Sequence, residues 1–299
     1  MSGSETIGFV GLGVMGGPMC RNVALKHPGR VVAFDLSSAA LDALADTRAE
    51  RAGSVEELAA VADVVFLSLP GGPQVEAVAG GPVAAHARPG SVVVDLSTTP
   101  VALARKVAAD LAAKGIAFAD APVARTREAA QRGELSIMVG APQPVFDRIR
   151  PLLAYMATDI THGGDVGAGQ VLKLVNNMLV FENVVTLAEM MVLGEKAGVA
   201  PATLLDAVSK GSGDSFVLRN HGRKAMLPRD FPEKSFPPEY VLKDIDYVFQ
   251  LAAETGVPLK AAETVRSYYE RAVAQGLGGR YFPAVIRLVE DGVMAEDET

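Results

Sequence analysis

The feature that most constrains this chain is a glycine-spaced turn near its start. A short β-type run, Thr6 to Val10, meets Gly11-Leu12-Gly13-Val14-Met15-Gly16, and a helix-forming stretch from about Met15 to Leu25 follows. A second apolar run, Arg30-Val31-Val32-Ala33-Phe34, ends in Asp35. From Gly13 to Asp35 is 35 − 13 = 22 residues, close to the ~20 at which an acidic side chain grips a ribose in a strand–turn–helix–strand unit. Gly11 allows the tight turn, Gly13 lets the backbone approach a pyrophosphate, and Gly16 lets the helix pack on the sheet. Phosphates would then lie on the helix N-terminus, where free N–H groups point outward. The glycine spacing alone is a weak signal, since an ordinary strand-to-helix turn can carry it. The flanking strand, helix and acid make it a dinucleotide fingerprint. A carboxylate at 35 pairs with two ribose hydroxyls and repels a 2′-phosphate, and Leu36-Ser37-Ser38 offers no arginine to receive one. NAD is therefore expected rather than NADP.

The pattern repeats. Ser54-Val55-Glu56-Glu57 reads as a capping box before a helix, and Val64 to Leu69 as a buried strand stopped by Pro70-Gly71-Gly72-Pro73. Ser91 to Leu96 is a further strand, Thr98-Thr99-Pro100 is expected to cap another helix, and Ile116 to Asp120 is a strand again. Alternating strands and helices imply an α/β fold with a parallel, doubly wound sheet. Ligands on such a sheet collect at the C-terminal strand ends, which puts Leu69-Pro70 and Ser97-Thr98 beside the cofactor. Leu135 to Gly140 is a strand, Pro144 to Leu153 a helix, and Asp159 to His162 a last short strand before Gly163-Gly164.

Beyond that no strand pattern recurs. The spacing predicts one long helix from about Gly167 to Ala197, apolar nearly all the way round, as in a helix buried inside a protein. Within its first turns Lys173 is the sole charge, and Asn176 and Asn177, three and four positions on, share its face. A buried ammonium needs partners, and desolvation lowers its pKa toward values useful for proton transfer. A snorkelling lysine beside two structural amides is the plain alternative. Pro201 to Ser209, Tyr240 to Thr255, Pro258 to Gln275 and Phe282 to Asp291 read as further helices, with Lys210 to Pro238 a loop region around one short helix. The chain is thus expected to divide into a dinucleotide-binding domain, 1–164, and an all-helical domain, 165–299.

Composition narrows the partners. The net charge is 28 − 35 = −7 with no basic cluster, so neither nucleic acid nor an anionic membrane is an expected partner. One cysteine, Cys20, excludes an internal disulfide. His27, His86, His162 and His221 lack metal-ligand spacing, so no metal site is readable. The first residues carry no basic, apolar leader pattern, which makes the cytoplasm the default location.

By this point three motifs in order resemble those of the β-hydroxyacid dehydrogenases, which include 3-hydroxyisobutyrate dehydrogenase. They are Gly11-Leu12-Gly13-Val14-Met15-Gly16-Gly17-Pro18-Met19, Asp120-Ala121-Pro122-Val123, and Gly169 with Lys173, Asn176 and Asn177. The likeness covers nearly the whole chain. It implies an N-terminal Rossmann domain followed by an all-α domain, joined through the long helix, in a homo-oligomer (dimer or tetramer). It implies that Lys173 is the catalytic acid/base, that Asn176 and Asn177 face the substrate, that Lys243 reaches over the cofactor, and that Leu69, Pro70, Gln74 and Thr98 contact the nicotinamide side. A local pair of Lys243 with Glu239 or Asp246 is the plain alternative. The chain departs from the family at one place: where Ser-Gly-Gly is common it has Ala124-Arg125-Thr126. A similar motif occurs in the branch resembling sulfolactaldehyde and succinic semialdehyde reductases. This implies that Arg125, a rigid fork of donors, binds a remote carboxylate or sulfonate, with Thr126 adding a hydroxyl. A surface pair of Arg125 with Asp120 or Glu128 is the alternative.

The expectation is therefore an NAD-dependent oxidoreductase interconverting a short hydroxy acid and its semialdehyde between the two domains. Two rivals stay open. An imine reductase on the same scaffold needs Asp or Tyr where Lys173 stands, and a non-catalytic NAD-binding interaction protein should have lost that lysine.

Overall fold

The computed structural model describes residues 5–233 and 235–294. They form two compact units that divide between residues 173 and 174. This contact division falls inside the long helix.

The first unit alternates strand and helix as the sequence pattern requires. In order it runs β1 (Ile7–Val10), α1 (Gly16–Lys26), β2 (Val31–Phe34), α2 (Ser38–Asp42), β3 (Ala49–Arg51), α3 (Val55–Val61), β4 (Val64–Leu67), α4 (Gly72–Val78), α5 (Ala84–His86), β5 (Val92–Asp95), α6 (Val101–Ala112) and β6 (Ala117–Asp120). Then come β7 (Val123–Ala124), α7 (Arg127–Arg132), β8 (Leu135–Gly140), α8 (Gln143–Leu153), β9 (Ala157–Gly164) and the start of α9 (Ala168–Lys196). The strand order is β3-β2-β1-β4-β5-β6-β8-β7, with β9 paired to β8. The pairings from β3 to β6 are parallel. β8 runs antiparallel to β6 and β7, and β9 parallel to β8.

The central strands are apolar on both faces because helices cover both. Ile7, Phe9, Val64 and Phe66 pack with α1 and α8 on one side, while Val10, Val65 and Leu67 pack with α3 and α6 on the other. The order reverses between β1 and β4, and ligands gather outside the strand ends at such a reversal. The register lines up Phe34, Val10, Leu67, Asp95 and Asp120 across the C-terminal edge. The turn after β1, Asp35, Ser68 and the two buried aspartates thus share one edge.

The second unit is helical, as expected. It holds the rest of α9, α10 (Pro201–Val208), a wider helical segment Leu218–Met226, α11 (Pro238–Thr255), α12 (Lys260–Ala272) and α13 (Ile286–Glu290). Phe181, Tyr269 and Phe282 form an aromatic core with exposed Phe236 stacked against it, and on its flank buried His221 shares a hydrogen bond of 2.9 Å with the Tyr281 hydroxyl. One expectation is corrected. α9 is not buried on all sides: Leu174, Met178, Phe181, Val185, Ala188 and Val192 form a buried stripe, whereas Val175, Leu179, Met190 and Leu193 are 52%, 54%, 45% and 60% exposed. Apolar residues ring the helix, but the packing within one chain covers a single stripe.

Candidate active site

The glycine turn sorts its glycines by what surrounds them. Gly11 has φ +93°, and a Cβ there would lie 2.2 Å from the Ser68 carbonyl oxygen. A Cβ on Gly16 would lie 2.1 Å from the Gly11 oxygen. These two are fixed by the close approach of β1, β4 and α1. Gly13 is different: it is exposed, and an added Cβ would meet nothing within 4 Å. Leu12 is buried, Met15 half-buried and Val14 exposed. The Asp35 carboxylate accepts the Leu12 N–H at 2.6 Å and the Ser37 N–H at 2.7 Å. The acid at the end of β2 thus touches the turn after β1. An open, methyl-free backbone ahead of a helix N-terminus, with a carboxylate beside it, fits a dinucleotide's pyrophosphate and ribose.

Along the same edge the Leu69 N–H donates to the Ser97 hydroxyl at 2.9 Å, tying the end of β4 to that of β5. Pro70 and Gln74 are exposed and Thr98 is half-buried. The expected cap by Thr98 or Thr99 is not formed; α6 starts behind Pro100 without a side-chain cap. Thr99 instead gives its N–H to the Gln170 side-chain oxygen at 3.0 Å and its hydroxyl to Asp95 at 3.4 Å. Asp95 is fully buried and also accepts the Ser97 N–H at 2.9 Å. Burial pushes its carboxyl up to about 7, opposed by the donors from Ser97.

Asp120 ends β6, also fully buried, and lies at the start of α9. Its two oxygens accept the Gly167 and Gln170 N–H groups, each at 2.7 Å. Burial raises this carboxyl to about 6, opposed by those N–H groups. The fit is close: a Cβ on Gly140 would lie 2.5 Å from Asp120 Oδ1, and one on Gly169 would lie 2.5 Å from the Met138 carbonyl oxygen and 2.9 Å from Asp120 Oδ2. Buried Gln170 completes the tie by donating to the Ser97 carbonyl at 2.9 Å. Lys173, half-buried, follows three residues later on the same helical face. The sequence reading missed the parts played by Asp95, Asp120 and Gln170. An acid ending an otherwise apolar strand, as in Val92–Asp95 and Ala117–Asp120, was the available signal.

Arg125 lies between β7 and α7. Its fork donates to the Glu134 carbonyl at 2.6 Å, the Thr158 hydroxyl at 2.9 Å and Asp159 at 2.7 Å. Its φ of 85° is a left-handed value more readily taken by glycine. Thr126 caps α7, its hydroxyl accepting the Ala129 N–H at 3.4 Å, and Ala124 lies in β7, paired with Ser136.

In the second unit Asn176 donates to Asn177 at 3.1 Å, and Asn177 to Asp244 at 2.7 Å. Lys243 pairs with Asp244 at 3.1 Å. It also lies over the Tyr240 and Tyr247 rings at 5.6 and 5.3 Å. Asp244, 1% exposed, was another residue the sequence reading passed over.

Comparison with known proteins decides what this site belongs to. Residues 6–164 match the NAD-binding domain of 6-phosphogluconate dehydrogenase, and residues 167–289 match a domain described as NAD-binding of NADP-dependent 3-hydroxyisobutyrate dehydrogenase. The chain is 38% identical to 2-(hydroxymethyl)glutarate dehydrogenase of Eubacterium barkeri over 97% of its own length and 96% of that protein's. The chain belongs to the β-hydroxyacid dehydrogenases. Another β-hydroxyacid dehydrogenase relative, NAD-dependent L-serine dehydrogenase of Pseudomonas aeruginosa, is 32% identical over 96% of this chain and 98% of that one. The structure of Mycobacterium tuberculosis 3-hydroxyisobutyrate dehydrogenase with L-serine superposes with a TM-score of 0.86 at 31% identity, covering 96% of this chain and 99% of that one. The β-hydroxyacid dehydrogenase fold, a Rossmann domain followed by a helical one, is thereby established, as is oxidoreductase chemistry on CH–OH groups with a nicotinamide dinucleotide. Two imine reductases share only the fold, at 20% and 21% identity.

Proposed function

We propose that the protein is an NAD-dependent dehydrogenase interconverting a short hydroxy acid and its semialdehyde, with Lys173 as the acid/base. The observation that carries this is the setting of Lys173, one turn beyond Gln170 on a helix whose start is tied to the ends of β5 and β6. The same edge of the sheet bears the glycine turn and Asp35. The dinucleotide supplies the hydride acceptor or donor at its nicotinamide ring. Neutral Lys173 takes the hydroxyl proton in oxidation, and its ammonium form returns it to the carbonyl oxygen in reduction. Asn176 and Asn177 each give one amide hydrogen within the protein, leaving a second for that oxygen. Asp35 favours NAD, because its carboxylate repels a 2′-phosphate and the Leu36-Ser37-Ser38 stretch brings no cation to receive one.

The relatives' names narrow the substrate class. 3-Hydroxyisobutyrate, L-serine and 2-(hydroxymethyl)glutarate are all 3-hydroxypropionates substituted at C2, and that is the class proposed here. Thr126 supports an anion's binding: its hydroxyl accepts from Ala129 and keeps a proton to donate. Arg125 is held by Asp159 in an exposed pair and also donates to the Glu134 carbonyl and the Thr158 hydroxyl; exposed pairs of this kind are weak and screened, and a substrate anion would compete with all three.

The test is an NAD-reduction screen of those three hydroxy acids with 4-hydroxybutyrate, sulfopropanediol and glycerate, repeated with Lys173→Ala. Turnover should collapse in the variant while NADH still binds. Equal loss of both would overturn the role of the lysine, and reduction of a cyclic imine in place of any hydroxy-acid oxidation would overturn the reaction. The exposed apolar face of α9 further supports a homo-oligomer.

A further inference from the structure

Four hydrogen bonds pin the first turn of α9 to the sheet. Asp120, at the end of β6, takes the N–H groups of Gly167 and Gln170 on its two oxygens. Gln170 in turn spans the end of β5, accepting from the Thr99 N–H and donating to the Ser97 carbonyl. All the groups involved are buried: Asp120, Gln170 and Thr99 are 0% exposed and Ser97 is 4% exposed. There is no slack around the carboxylate, since the glycines at 140 and 169 stand where any Cβ would strike it. A buried carboxylate is costly unless donors and a helix dipole compensate it. Packing of helix against sheet would hold α9 in place without any charge there. What the carboxylate and the amide add is position: they fix the helix along its own axis and about it, relative to β5 and β6. Lys173 leaves the helix three residues after Gln170, so any slide or rotation of that turn moves its Nζ directly.

We infer that Asp120 and Gln170 are positioning residues for Lys173, setting through the first turn of α9 where its amine stands above the C-terminal edge of the sheet. This rests on the reading of Lys173 as the acid/base. A displacement of about 1 Å at a reacting group can lower a rate by roughly 100-fold without any loss of binding. The effect belongs in the chemical step, not in the affinity for NADH, whose fingerprint lies at β1 and β2.

The experiment compares wild type, Asp120→Asn, Gln170→Met and Lys173→Ala with the best hydroxy acid from the screen above, unlabelled and deuterated at the carbinol carbon. Hydrogen exchange of the amides of residues 167–173 is followed in the cofactor-free proteins. Asp120→Asn and Gln170→Met should lower kcat by about 10- to 100-fold, with KM and the NADH Kd within about 3-fold. Their deuterium isotope effect on kcat should rise, because the displaced amine slows the chemical step, and amides 167–173 should lose protection while the circular dichroism spectrum is kept. Should Asp120→Asn fail to fold, Gln170→Met, which leaves the carboxylate in place, carries the test alone. Unchanged kcat and isotope effect in a folded variant with a lowered melting temperature would overturn the inference and leave the contacts merely structural. Lys173→Ala separates the two levels: if it stays active, the reading of the lysine fails. If it is inactive and the positioning variants are not, only the positioning role fails.

Discussion

Replacing Gly13 with alanine should weaken cofactor binding without weakening the fold. The structure leaves open space at that position, with nothing within 4 Å of an added methyl group. Gly13 is also absent from the positive-φ glycines, so alanine meets no backbone strain there. The apo protein should keep its stability, or gain about 0.4–1 kcal/mol from a stiffer unfolded chain. A dinucleotide lying on this turn would meet the methyl group instead. Crowding by one methyl group costs about 1–3 kcal/mol, which is a rise in Kd for NADH of roughly 5- to 150-fold. Gly16→Ala is the contrasting control. Its Cβ would stand 2.1 Å from the Gly11 carbonyl oxygen, so backbone must move and stability should fall by about 2 kcal/mol or more. Calorimetric titration with NADH and thermal unfolding of both variants read the two effects apart. Should Gly13→Ala bind NADH like wild type, or lose as much stability as Gly16→Ala, the assignment of that open backbone to the pyrophosphate is wrong.

Three further outcomes can be checked. Asp95 and Asp120, ordinarily near 3.8, stand at about 7 and 6 in the folded protein because burial disfavours their charge. The folded state therefore holds these protons more tightly than the unfolded one, and the stability they contribute is complete below about pH 4 and lost as pH rises through 6 to 7. Asp95→Asn mimics the protonated carboxyl, so in urea unfolding it should gain on wild type by on the order of 3 kcal/mol between about pH 5 and pH 8; parallel profiles would contradict this. Arg125→Gly relieves a left-handed backbone costing about 1 kcal/mol but gives up the exposed contacts to Glu134, Thr158 and Asp159. Its stability should therefore stay within about 1 kcal/mol, while KM for the hydroxy acid rises more than about 10-fold if the fork swings from Asp159 to the substrate; an unchanged KM would leave the arginine a purely structural role. Leu179→Asp combined with Leu193→Asp, both on exposed positions of α9, should turn a homo-oligomer into monomers in light scattering, and an unchanged mass would place any interface elsewhere.

What the sequence revealed and what it hid divide along sequence separation. The glycine turn, the strand runs and the extent of α9 are local patterns, and each appears within a residue or two of its expected place. The common face of Lys173, Asn176 and Asn177 is equally local. The partners of polar groups are not. Thr98 and Thr99 before Pro100 look like a cap, but Thr99 is claimed by Gln170, 71 residues away. Asp120 reads as part of a motif, while its task is to receive the N–H groups of Gly167 and Gln170 across 47 and 50 residues. Arg125 finds Asp159, 34 residues on, because β9 runs parallel to β8 and brings that carboxylate within reach. The exposure of α9 escaped for another reason: apolar residues on every face say that each must be covered, not that one chain does all the covering.

The two units are joined by a helix with no break, running from Ala168 to Lys196 across the division at 173 and 174. Anyone building chimeras between relatives of this protein therefore has no flexible seam to cut at that division. A crossover at either 164 or 173 would make the donor's helix register answer to the recipient's sheet. The Ala197–Ala200 turn, where the helix has ended and Gly198 bends the chain, is the safer place to splice.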